Sequence, residues 1–105
     1  MEADTLDRLQ RLTKLYRRGY RSPVIDQALG KLVVLEVEQC RIELQRLKAR
    51  LATYEQQYDM PSDEFYRRFK SGDLDDDMDF VEWSAFWDMF LATQRRLDEL
   101  AACVP

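Results

Sequence analysis

Residues 33–58 read VVLEVEQCRIELQRLKARLATYEQQY. Within them Val33, Val37, Cys40, Leu44, Leu47, Leu51, Tyr54 and Tyr58 stand at steps of 4, 3, 4, 3, 4, 3 and 4 residues. That is the heptad spacing of a helix packed along a seam. Upstream, Ser22-Pro23 makes a clean helix start: serine caps free amide groups, and proline at the first helical position loses no hydrogen bond. Gly30 is the only Gly or Pro between Pro23 and Pro61, so one helix is predicted from Pro23 to about Tyr58. At 1.5 Å per residue it is roughly 54 Å long. A 105-residue chain cannot enclose such a rod, so the rod must pair lengthwise with another helix.

A matching seam lies downstream. Phe80, Trp83, Trp87, Phe90, Gln94, Leu97 and Ala101 follow steps of 3, 4, 3, 4, 3 and 4 residues, predicting a helix over about 77–101, roughly 37 Å long. Between the seams, Tyr58-Asp59-Met60-Pro61 breaks the first rod, because proline disfavours helical geometry in the residue before it. A short helix from Ser62 to about Lys70 then presents Phe65, Tyr66 and Phe69, and Ser71-Gly72 ends it. The expected fold is all-α: a long antiparallel, coiled-coil-like helical hairpin with a short helix at its turn. Gln94 in the seam would need a polar partner. At the N-terminus, Leu6, Leu9, Leu12 and Tyr16 predict a helix from about Thr5 to Arg18, with Asp4 as its cap and Gly19 as its left-handed end. The expected division is a basic arm over residues 1–21 and a hairpin domain over 22–105. Leu29, Leu32, Leu35, Ile42, Phe86 and Leu91 lie off the main stripes, so another layer is expected. A homodimer, two hairpins forming a four-helix arrangement, would provide it.

Three Gly and three Pro are too few turn-formers for a β-sandwich. No apolar run approaches the ~18 residues of a membrane span, and Met1-Glu2-Ala3-Asp4 does not begin like a signal peptide; a cytoplasmic protein without membrane contact is expected. The net charge of −4 hides an asymmetry. Residues 1–58 carry 11 basic and 8 acidic side chains, and residues 59–105 carry 5 and 12. Cys40 falls on the apolar seam and Cys103 near the C-terminus. With no C-x-x-C spacing and no histidine, neither suggests a zinc site.

Three constellations invite a functional reading. Asp73, Asp75, Asp77 and Asp79 alternate as in a calcium-binding EF-hand loop, but the match fails. Counted from Asp73, the sixth position is Met78 where the turn needs Gly, and the twelfth is Ser84 where a bidentate Glu is needed; counted from Asp75 the same positions are Phe80 and Phe86. Helix capping accounts for these carboxylates, and no metal or other cofactor is expected. The aromatic run Phe80, Trp83, Phe86, Trp87 and Phe90 has helical spacing and acidic neighbours, which suits a core better than a base-stacking surface. The stretch from Arg8 to Arg21, including Arg11, Lys14, Arg17 and Arg18, is either a solvated helix face or a contact for phosphates or an acidic partner. No residue set resembles a catalytic site, since there is no His, no nucleophile beside a base and no Gly-rich phosphate loop.

The stretch Tyr58–Trp83 resembles a family of small bacterial and archaeal helical proteins with the pattern Y-G-M-S-S-E-E-F-Y-x-R-F-x-x-G-x-L-x-D-D-x-D-F-x-E-W. The residues that carry the likeness are Tyr58, Met60, Ser62, Glu64, Phe65, Tyr66, Arg68, Phe69, Gly72, Leu74, Asp76, Asp77, Asp79, Phe80, Glu82 and Trp83. Asp59 stands where the pattern has Gly, and Pro61 where it has Ser. The Ser22-Pro23-Val24-Ile25-Asp26 start and the long Leu-rich helix are similar too, so the likeness extends over about four-fifths of the chain and leaves residues 1–20 as an added arm. The resemblance implies an antitoxin-like protein that binds and neutralises a toxin, often a ribonuclease. Asp73, Asp75, Asp76, Asp79 and Glu82 would then form an acidic face for a basic cleft. The competing expectations are a structural adaptor built on a dimeric hairpin, seamed through Val33, Val37, Leu44, Leu47, Leu51, Phe80, Trp83, Trp87, Phe90 and Leu97, and a nucleic-acid-binding regulator using Arg11, Lys14, Arg17, Arg18 and Arg21.

Overall fold

The computed structural model describes residues 4–104, which are helical with no strand among them. The helices are α1 (Thr5–Arg17), α2 (Pro23–Tyr58), α3 (Ser62–Lys70) and α4 (Met78–Ala101). They form two compact units, Met1–Leu32 and Val33–Pro105, divided within α2.

In the first unit the helix ends follow local chemistry. The Asp4 carboxylate accepts the Asp7 N–H at 2.8 Å and starts α1. Gly19, at φ +100°, lets the chain leave that helix in the left-handed region. Ser22 Oγ then accepts the Ile25 N–H at 3.3 Å and starts α2. The Tyr16 hydroxyl accepts the Ser22 N–H at 3.1 Å and donates to Asp26 at 2.7 Å, fastening α1 to the first turn of α2.

The second unit is the hairpin. Tyr58 packs on Phe80 with ring centroids 5.0 Å apart, and Tyr54 stacks on Trp83 at 5.7 Å. Further along, the Arg50 guanidinium lies over Phe86 at 5.3 Å, and Glu43 pairs with Arg96 at 3.7 Å. Positions descend on α2 as they rise on α4, so the helices run antiparallel. That register sets Val37, Cys40, Leu44, Leu47, Leu51, Tyr54 and Tyr58 level, in turn, with Ala101, Leu97, Gln94, Phe90, Trp87, Trp83 and Phe80. The two heptad seams therefore match position for position. Val37, Cys40, Leu44, Leu47, Leu51 and Trp83 are buried, while Val33, Phe80, Trp87, Phe90 and Leu97 are half-buried at the seam edges. Gln94 is half-buried, and its polar partner lies one turn along its own helix, where it donates to Asp98 at 3.1 Å. The polar side chain buried on α4 is its neighbour Thr93.

The core is concentrated at the closed end. Trp83, with no exposed surface, is sandwiched between Phe65 at 3.8 Å and the rings of Tyr54 and Tyr58 at 5.7 and 5.8 Å. Removing an indole of ~200 Å² from water stabilises the fold by about 4–6 kcal/mol. Trp83 Nε1–H donates to Ser62 Oγ at 2.9 Å, and Ser62 Oγ–H donates to Glu55 at 2.8 Å. The same Glu55 carboxylate accepts the Ser62 backbone N–H at 2.9 Å. Pro61 has no side-chain donor or acceptor to cap α3, so a carboxylate from α2 caps it instead.

Candidate interaction surfaces

The acidic residues divide into two sets. Asp79 and Glu82 are held from within: the Tyr58 hydroxyl donates to Asp79 at 2.6 Å and the Tyr54 hydroxyl donates to Glu82 at 2.9 Å. Asp77 accepts the Asp79 N–H at 2.9 Å and starts α4. Asp73, Asp75 and Asp76 are exposed on the loop between α3 and α4. Among the described residues no group of three or more His, Cys, Asp or Glu is arranged to hold a metal ion.

The tyrosine clasps recur. Tyr66 donates to Asp88 at 2.8 Å, and Tyr16 to Asp26 as above. Four of the five tyrosines thus hold a carboxylate on another helix. The Asp79 hydrogen bond, with burial and the nearby negative charge, pushes the Tyr58 phenol up to about 12. Partial burial and the bond to Glu82 raise Tyr54; burial and the bond to Asp26 raise Tyr16; and the bond to Asp88, with burial, raises Tyr66. In each case ionising the phenol would place a second negative charge against the first.

The basic residues of α1 also separate by role. Arg21 closes the turn after α1: its guanidinium donates to the Tyr16 and Tyr20 carbonyls at 2.9 and 2.7 Å and lies 5.1 Å over the Tyr16 ring. Arg11 pairs with Asp7 at 3.5 Å on the surface. Lys14, Arg17 and Arg18 are exposed, and Arg11, Lys14 and Arg18 recur one turn apart on the side opposite Leu9, Leu12 and Tyr16. A helix with such a divided surface ordinarily buries its apolar side. Here α1 has no buried residue: Leu6 is 63% exposed and Leu9 45%. Leu9, Leu12 and Tyr16 line an open groove with Ile25 and Leu29.

In the hairpin unit, the apolar residues that sequence spacing left off the seam are not all exposed, since Phe86 and Leu91 are half-buried. Val34, Leu35 and Ile42 of α2 are exposed, as are Val81 and Met89 of α4. Ile42, Arg46, Ala49 and Arg50 line a groove together with Phe86 of α4. No described helix is long and apolar enough to cross a membrane. None of the family models, characterised proteins or solved structures compared with the chain matches it.

Proposed function

We propose that the chain is a non-catalytic, cytoplasmic, protein-binding module that acts as a homodimer, of the antitoxin-like class its hairpin tip resembles. The observation that carries this reading is the uncovered apolar side of α1, a divided helix without one buried residue. A helix of 13 residues is too short to be stable in water through backbone bonds alone, and its uncovered leucines suit the surface of another protein. Charge supports a basic partner such as a ribonuclease. Asp73, Asp75 and Asp76 are exposed and available to a cationic cleft, where opposite charge speeds and selects encounter. Asp79 and Glu82 act mainly on the hairpin itself, through Tyr58 and Tyr54.

The test is co-expression with the product of a neighbouring gene of nuclease size. Growth arrest by that product is expected to be relieved by this chain. Relief should fall at least tenfold with Leu9→Glu and Leu12→Glu together, with the hairpin still folded. An arrest that the chain leaves unchanged would remove the antitoxin assignment.

A further inference from the structure

The side of α1 opposite its leucines carries charge of one sign. At about 100° per residue, Arg17, Lys14, Arg18, Arg11 and Arg8 fan over half the circumference of the helix. Leu6, Leu9, Leu12 and Tyr16 occupy the other half. All five cations are exposed. Asp7 is the one carboxylate among them, and it pairs with Arg11 at 3.5 Å. Among the described residues Arg8, Lys14, Arg17 and Arg18 have no ion pair. A helix face kept for solvent ordinarily mixes signs, as α2 does through Glu36, Glu38, Arg41 and Glu43. On α1, Arg11 with Lys14 and Lys14 with Arg18 instead stand three and four residues apart with like charge, an arrangement that destabilises a helix. The helix dipole favours Lys14 and Arg17 in the last turn and gives nothing to Arg8 and Arg11. A polyanion laid along this side would relieve the repulsion at every position.

We propose that the basic side of α1 binds the phosphate backbone of duplex DNA, with the helix seated in the major groove. The fit is one of charge and size. A helix with its side chains is ~10–12 Å across, and the major groove of B-form DNA is ~12 Å wide. Cations fanned over half the circumference therefore reach phosphates on both walls of the groove. Double-stranded RNA has a major groove too narrow for this. Single strands are held by stacking on aromatic side chains, and the basic half of α1 has none. Arg21 takes no part, because its guanidinium is held by the Tyr16 and Tyr20 carbonyls. The contact uses the arm outside the antitoxin-like pattern and the side of α1 opposite the leucines, so it stands or falls separately from the toxin reading.

Fluorescence anisotropy of the full chain with a labelled DNA duplex of mixed sequence tests this. Neutralising about four phosphates predicts a slope of about −3 to −4 for the logarithm of affinity against that of salt, a loss of roughly a hundredfold between ~50 and ~200 mM. Lys14→Gln with Arg18→Gln should make the slope shallower by about 2, with far-ultraviolet circular dichroism unchanged. The charge-conserving pair Lys14→Arg with Arg18→Lys should keep the parent slope. A slope that the glutamine pair leaves unchanged, or that Arg21→Gln lowers as much per residue, overturns the assignment to this face. Tighter binding to an RNA duplex or a single strand of the same sequence overturns the groove. No binding to the DNA duplex at ~50 mM salt overturns the proposal and leaves an acidic protein as the partner that this charge fits.

Discussion

At the scale of single residues, the hairpin tip is governed by hydroxyl–carboxylate pairs between positions 21 to 28 apart in the chain. Tyr58 and Asp79 are the clearest pair, because the phenol is pushed up to about 12 against an ordinary value of 10. The folded state therefore holds its proton more tightly than the unfolded chain does. The resulting stabilisation is complete below pH 10 and is lost as the pH rises from 10 to 12. The unfolding midpoint of the parent is accordingly expected to fall faster over that window than the midpoint of Tyr58→Phe, which has no phenol to ionise. Equal slopes in an alkaline denaturation series would show that the clasp contributes nothing. These pairs were hard to see in the sequence, where Asp73 to Glu82 reads as one continuous acidic surface. The signal was present all the same: once the heptad seams are aligned, Asp79 falls level with Tyr58 and Glu82 close to Tyr54. Ser62 and Glu55 left less of a trace, because their bond depends on how the chain turns through Asp59, Met60 and Pro61.

At the scale of elements, helix limits were largely legible. Asp4, Ser22 and Asp77 cap helices, Gly19 and Gly72 leave them at positive φ, and Pro61 stands just beyond the end of α2. Each of these effects is local, acting through a side chain or a dihedral within a few residues of the helix end. The turn after α2 is less ideal. Asp59 takes φ +50°, the left-handed region in which a Cβ is unfavourable and glycine is at ease. Asp59→Gly is expected to be neutral or to raise stability by up to about 1 kcal/mol, and Asp59→Val to lower it by about 1–2 kcal/mol. Chemical denaturation of the three chains reads the order directly. A valine chain as stable as the parent would mean that the turn relaxes out of the left-handed region.

At the scale of the whole molecule, spacing made the two seams legible, and the short connection between them, residues 59–77, favoured the antiparallel order in which they pair. Division of the chain was less accessible. Composition changes where the basic arm ends, whereas compactness depends on which parts of α2 find a partner: Val37 onward is buried against α4, and nothing in α1 is buried. The placement of both tryptophans has an optical consequence. Trp83 and Trp87 are the only two in the chain, and both belong to the hairpin unit. Tryptophan emission is therefore blind to the first unit, whereas far-ultraviolet circular dichroism counts helical residues in both. If the units melt separately, the dichroic transition should begin at lower denaturant than the fluorescence transition, and the offset measures how much less stable the first unit is. Coincident curves would mean that α2 transmits unfolding from one unit to the other as a single cooperative step.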